Sequence, residues 1–219
     1  MKKYIETLKK CPLFDDINET EMERMLACMG TKTFSYNKKE TVLNEGDPAD
    51  LIGIVLSGEI QTVQIDYYGN RSILDTVFEG EMFNEAFACA KTSSIPVSFV
   101  ANKPSVVMLI DCEHILHTCE NNCSFHRSMI YNIMKDLALK TISYHQRVEI
   151  TSKRTTRAKL LAFLDIMAKK TQKRNFEIPF DRQELADYLE VERSGLSTEI
   201  GKLRREGIID CEKNKFTLL

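Results

Sequence analysis

The chain has 219 residues, 43% apolar and 28% charged, with 30 Lys+Arg against 32 Asp+Glu for a formal net charge of −2. That length holds one large domain or two small ones, either able to bury a proper core, and the composition reads as an ordinary soluble globular protein. The near-neutral total argues against a general polyanion binder.

The total hides an asymmetry. Residues 1–150 hold 15 Lys+Arg and 21 Asp+Glu, a balance of −6, whereas residues 151–219 hold 15 and 11, a balance of +4. A small basic module joined to a larger acidic domain suggests nucleic-acid binding at the C-terminal end. No stretch approaches the ~18–20 apolar residues of a membrane span. Met1-Lys2-Lys3-Tyr4 is not followed by the apolar run of a signal peptide, so none is expected. The seven cysteines, an odd count, read as reduced thiols of a cytoplasmic protein.

In chain order, the first 30 residues read as helical. Asn18-x-x-Glu21 is a capping pattern, Met22, Met25, Leu26 and Met29 follow at helical spacing, and Gly30 is a stop. From Thr31 to Asp111 short β-rich runs alternate with turn residues. Strands are predicted at Thr33–Tyr36, Thr41–Asn44, Leu51–Leu56, Ile60–Asp66, Ser72–Phe78, Val97–Ala101 and Val106–Ile110, with a helix at about Glu85–Lys91. That texture argues for an antiparallel β-barrel or sandwich. A helix free of Gly and Pro then runs from about Cys119 to Glu149. Its stripe of Ile130, Ile133, Leu137, Lys140/Thr141, Tyr144 and Val148 is close to a heptad seam, and self-association would account for its length. Thr151–Thr156 reads as a polar hinge. Beyond it lie an amphipathic helix (Ala158–Met167), an extended piece (Phe176–Phe180), two short helices (Asp181–Leu189 and Arg193–Arg205) and a hairpin (Ile208–Leu219).

The two short helices carry the clearest signal. Asp181-Arg182-Gln183-Glu184 is a capping box. Glu190-Val191-Glu192 makes a tight turn with Val191 as an apolar plug. In the second helix Leu196, Ile200 and Leu203 form the buried stripe, leaving Arg193, Ser194, Ser197 and Thr198 for base edges in a major groove; Arg182, Gln183 and Lys202 are further DNA-binding candidates. This is the helix-turn-helix signature, and Lys213, Lys215 and Phe216 would supply a basic wing. A plain pair of packed helices would also show solvated charges; the agreement of cap, turn, wing and charge balance favours the DNA-binding reading.

On these residues the chain resembles the Crp/Fnr family of regulators over essentially its whole length. Phe180-Asp181-Arg182-Gln183-Glu184-Leu185-Ala186 is similar to the family's entry to the DNA-binding unit, and Val191-Glu192-Arg193-Ser194 to the opening of its recognition helix. The resemblance implies that Gln183 meets a phosphate and that Arg193 is the leading base reader. Two further reading positions, often Glu and Arg in the family, are Ser194 and Thr198 here, so the familiar operator does not carry over.

Val42-Leu43-x-x-Gly46-Asp47-x-Ala49 and Ile54-Val55-x-x-Gly58 resemble the glycine pattern of cyclic-nucleotide-binding domains, and Gly80-Glu81-Met82-Phe83-Asn84-Glu85-Ala86-Phe87-Ala88 their phosphate-binding cassette. Glu85 stands where the family binds a ribose hydroxyl. The Arg expected ten residues later is Ile95, followed by Pro96, which has no N–H to donate. A buried phosphate without counter-charge is costly, so cyclic AMP is not expected as effector. Phe83, Asn84, Glu85, Ala86, Phe87, Ile95 and Pro96 would line either an apolar ligand pocket or a filled scaffold.

Cys112, His114, His117, Cys119, Cys123 and His126 fall close together, and Cys119, Cys123 and His126 share one helical face, a candidate soft-metal or redox site. The cofactor is otherwise unknown. The plainer reading makes each cysteine a small buried hydrophobe and each histidine a surface or cap residue.

The expected fold is α+β: an N-terminal antiparallel β-barrel of double-stranded β-helix or jelly-roll type with a cyclic-nucleotide-binding-like build, a long dimerisation helix and a C-terminal winged helix-turn-helix. The expected domains are a sensor at 1–118, the dimerisation helix at 119–150 and the DNA-binding domain at 151–219. Expected partners are double-stranded DNA bearing a palindromic operator, a second copy of the chain, a small-molecule effector, and RNA polymerase if it activates; no membrane is expected. A ligand-sensing module without DNA function is the alternative. An enzyme is not expected, because no glycine-rich nucleotide loop, nucleophile motif or metal-hydrolase spacing is visible.

Overall fold

The computed structural model describes residues 2–69, 71–116 and 124–219, which fall into two compact units, Met1–Ala138 and Leu139–Leu219. No described helix is long and apolar enough to cross a membrane.

The first unit opens with α1 (Ile5–Leu8) and α2 (Glu19–Cys28), with short 3-10 turns around α1. The Asn18 side chain accepts the Glu21 N–H at 2.9 Å, so the capping pattern is realised, and Gly30 takes φ +58 just beyond the helix. There follow β1 (Lys32–Tyr36), β2 (Thr41–Leu43), β3 (Leu51–Ser57), β4 (Glu59–Ile65), β5 (Arg71–Phe78), β6 (Met82–Phe83), α3 (Glu85–Ala90), β7 (Ser98–Ala101), β8 (Ser105–Asp111) and α4 (Cys112–Leu116), and then the long α5 (Ser124–Thr151). The strands form two four-stranded antiparallel sheets, ordered β1-β8-β3-β6 and β2-β7-β4-β5. The architecture is the expected jelly-roll type, as two facing sheets rather than one closed barrel.

Two cores explain why β3 reads Leu-Ile-Gly-Ile-Val-Leu instead of alternating. Ile52, Ile54 and Leu56 face α1, α2 and the first turns of α5, together with Met108, Ile110, Met129 and Ile133. Val55 faces the opposite way, into a cluster between the sheets with Phe83, Ile95, Phe99 and Val107. A strand covered on both faces has no solvent side to mark with polar residues. The start of α5 is anchored by the buried Asn132, whose amide donates to the carbonyls of Leu13 at 3.0 Å and Asp15 at 2.9 Å.

In the second unit α6 (Thr156–Thr171), β9 (Asn175–Glu177), α7 (Arg182–Tyr188), α8 (Arg193–Arg205), β10 (Ile209–Glu212) and β11 (Lys215–Leu218) surround one core. The hairpin β10–β11 also pairs with β9, giving a three-stranded antiparallel sheet ordered β10-β11-β9. Phe216, expected on the wing, is fully buried with the core. The correction follows from strand periodicity: Lys215 and Phe216 are consecutive and must point to opposite faces.

Candidate nucleic-acid interface and sensor interior

The helix pair is built by local signals. Asp181 Oδ1 accepts the N–H groups of Gln183 at 2.7 Å and Glu184 at 2.9 Å, and Glu184 Oε2 accepts the Asp181 N–H at 2.7 Å. At the other end of α7, Lys159 Nζ on α6 donates to the carbonyls of Leu189 at 3.0 Å and Glu190 at 3.2 Å, supplying a cation and donors to a helix C-terminus. Glu190 turns the chain at φ +53, and Val191 packs half-buried on the core. Sequence reasoning missed both Lys159 and the left-handed Glu190; a Gly at that position would have been the usual signal.

In α8, Leu196, Ile200 and Leu203 are buried, while Arg193, Ser194, Ser197, Thr198 and Lys202 are all exposed. The structure thus brings five sequence-selected side chains onto one outward face. Thr198 Oγ1 donates to the Ser194 carbonyl at 3.0 Å, Lys202 pairs with Glu199, and Gln183 Nε2 donates to Asp187 Oδ1 at 2.8 Å. Arg182 is only half-buried, with its guanidinium carbon 5.6 Å from the Phe216 ring centroid and Nη2 donating to the Lys213 carbonyl at 3.2 Å. At the far end of α8, Arg157 donates to Glu206 at 2.9 Å, and this pairing holds the Glu206 carboxyl below the usual carboxylate range.

In the first unit Phe83, Asn84 and Glu85 are buried, Phe87 is half-buried and Ala86 is exposed. Asn84 adopts φ +65, and its amide donates to the Leu51 carbonyl at 2.7 Å. Ile95 is buried between the sheets, while its neighbour Pro96 is exposed. The rings of Phe83 and Phe99 sit 4.8 Å apart in that cluster. Where the resemblance calls for a cation, the chain has packed an aliphatic side chain.

Of the Cys/His cluster, His117, Cys119 and Cys123 lie outside the described residues. His126 is buried, and Cys112 and His114 belong to α4. Among the described residues no group of three or more His, Cys, Asp or Glu side chains is placed to hold a metal ion. In α5, Ile133 is turned into the first unit's core and Leu137 packs against it, whereas Tyr144 and Val148 are exposed.

Residues 33–122 match the cyclic nucleotide-binding domain family and residues 158–219 the Crp-like helix-turn-helix domain family. The transcriptional activator protein FnrL of Cereibacter sphaeroides is 20% identical over 200 residues, covering 84% of this chain and 75% of FnrL. Among solved structures, CLP of Xanthomonas campestris, titled a c-di-GMP responsive global regulator, superposes with TM-score 0.58 at 17% identity over 92% of this chain and 99% of CLP. DNR of Pseudomonas aeruginosa gives TM-score 0.52 at 20% identity over 100% of this chain and 95% of DNR. Such identities speak for the fold. With a cyclic nucleotide-binding type domain followed by a Crp-like helix-turn-helix that exposes a polar and basic second helix, this chain belongs to the Crp/Fnr family of transcription regulators.

Proposed function

We propose that the protein is a homodimer that reads a palindromic operator through α8 and whose effector is not cyclic AMP. The carrying observation is the outward face of α8, where Arg193, Ser194, Ser197, Thr198 and Lys202 stand exposed while Leu196, Ile200 and Leu203 anchor the helix. Arg193 is the residue to donate bidentately to guanine O6 and N7; Ser194, Ser197 and Thr198 read neighbouring edges. Arg182, Gln183 and Lys202 meet the phosphate backbone, Gln183 and Lys202 exchanging their present carboxylate partners for DNA. These contacts position the helix without specifying sequence.

The dimer reading rests on apolar surface along α5. Tyr131, Met134, Leu139, Ile142, Tyr144 and Val148 are each more than half exposed. Part of the expected seam is already used within one chain, because Ile133 and Leu137 pack on the first unit. Residues 1–118, 119–150 and 151–219 serve as sensor, dimerisation helix and DNA reader in a cytoplasmic regulator. Against cyclic AMP stands Ile95, buried where the phosphate would need a guanidinium. An RNA polymerase contact follows if the protein activates.

The test is selection of bound duplexes from a random DNA pool by the full-length chain, followed by affinity measurement at fixed salt. The expected winner is a two-fold symmetric site with half-sites about one helical turn, ~34 Å, apart. Arg193→Ala should lose ~1–3 kcal/mol, about 5- to 150-fold in affinity, and relax one base position. Unchanged affinity and selectivity in that variant would remove Arg193 from its assigned role.

A further inference from the structure

Two thiols meet in the first unit that the sequence reading did not pair. Cys89 lies half-buried in the last turn of α3, and Cys112 opens α4 and is buried. They stand 23 residues apart on different elements, yet their sulfur atoms approach to 3.8 Å. Cys112 also lines a cavity of about 240 Å³ with Ala88, Lys91, Thr92, Ser93 and Glu113. Lys91 and Glu113 pair across its lining.

The two sulfurs are not equivalent. The contact between the two sulfurs lowers the Cys89 pKa, and the same contact, with burial, raises that of Cys112, the more deeply buried of the pair. Cys89 therefore has the character of an attacking thiolate and Cys112 that of a resolving thiol. The other described cysteines differ in setting: Cys28 is exposed on α2, Cys11 is buried in the helical core, and Cys211 is half-buried on β10 in the second unit.

We propose that Cys89 and Cys112 are a redox-active dithiol that a small hydroperoxide converts to an intramolecular disulfide. In the first step the Cys89 sulfur attacks a peroxide oxygen. The S–O bond forms, the O–O bond breaks, and the leaving oxygen takes a proton to depart as water or alcohol. The sulfur, now a sulfenic acid, has given up two electrons. In the second step the Cys112 sulfur attacks the Cys89 sulfur and releases its proton. The S–S bond forms, the S–O bond breaks, and water leaves. One hydroperoxide is reduced for each pair of thiols oxidised, and the product ties the end of α3 to the start of α4. The site stands whether or not the chain reads DNA as proposed above.

The experiment treats the reduced full-length protein with one equivalent of hydrogen peroxide, blocks remaining thiols and maps the peptides by mass spectrometry without reduction. Cleavage after Lys91 and after Glu85, Glu113 and Glu120 places Cys89 in residues 86–91 and Cys112 in residues 92–113, apart from Cys119 and Cys123. The expected product joins residues 86–91 to residues 92–113, and dithiothreitol releases both. Blocked, unlinked thiols at Cys89 and Cys112, or either of them bridged to another cysteine, would overturn the proposal. In Cys112→Ser the resolving thiol is missing, so Cys89 sulfenic acid should accumulate and take a dimedone label about tenfold above Cys28 in the same molecule. Equal labelling of Cys28 and Cys89 would remove the nucleophile assignment even if a bridge forms.

Discussion

Gly53→Ala tests whether the first unit's interior is filled by its own side chains. A Cβ on Gly53 would lie 2.0, 2.3 and 2.5 Å from Cζ, Cε1 and Cε2 of Phe83. Carbon atoms settle at ~3.5–4.0 Å, so the ring tip would have to retreat by roughly 1.5 Å. Phe83 is 2% exposed and its ring lies 4.8 Å from that of Phe99, so the retreat would push a second ring. Overpacking of this kind costs ~1–3 kcal/mol. The lost flexibility of the unfolded chain offsets ~0.5–1 kcal/mol of it, leaving a net destabilisation of about 0.5–2 kcal/mol. Thermal unfolding of the full chain, followed by circular dichroism, should then shift down by about 1–8 °C, at ~2–4 °C per kcal/mol for a chain of this size. Phe83→Leu removes the ring tip, so the double variant should recover most of the Gly53→Ala loss, with a coupling of ~1–3 kcal/mol in the double-mutant cycle. A Gly53→Ala chain that melts with the wild type, or a cycle without coupling, would mean that the interior has spare room and that a ligand cavity belongs there after all.

Other outcomes follow from the second unit. Asp181→Ala removes the capping box of α7 and should cost ~0.5–2 kcal/mol in urea unfolding, whereas Asp181→Asn, still an acceptor, should retain most of it. Lys159→Met keeps the aliphatic stem but leaves the Leu189 and Glu190 carbonyls without their donor; a loss of about 1 kcal/mol is expected, and an unchanged urea midpoint would show that water replaces the lysine at no cost. Glu206 has a depressed folded-state pKa, so its contribution to stability is present above its unfolded value and is lost as pH falls through the folded one. Arg157→Ala should therefore raise the Glu206 carboxyl titration seen by carbon-13 NMR towards the ordinary 4.5 and flatten the acid limb of stability; a titration that does not move would contradict the pairing.

The DNA-reading unit was legible because its signals are consecutive. The cap at Asp181, the stripe of Leu196, Ile200 and Leu203, and the bounds of α8 at Arg193–Arg205 all stand as the sequence implies. Capping and helical periodicity act within one or two turns, so the residues that carry them are neighbours in the chain. The strands were legible through their turn residues. The two-residue β6 is shorter than any alternation, and β3 carries none to read because both its faces are covered. Nothing in the sequence marks Asn132, which is buried against the carbonyls of Leu13 and Asp15, 119 and 117 residues away.

Local hydrogen bonding and the period of apolar residues therefore sufficed to specify the elements, their order and the outward face of α8. Which apolar faces meet was settled only by sheet pairing and helix docking, because such contacts depend on residues far apart along the chain. That packing put Ile133 into the first unit rather than wholly into a seam, set Phe216 beneath the wing instead of on it, and brought Cys89 to Cys112.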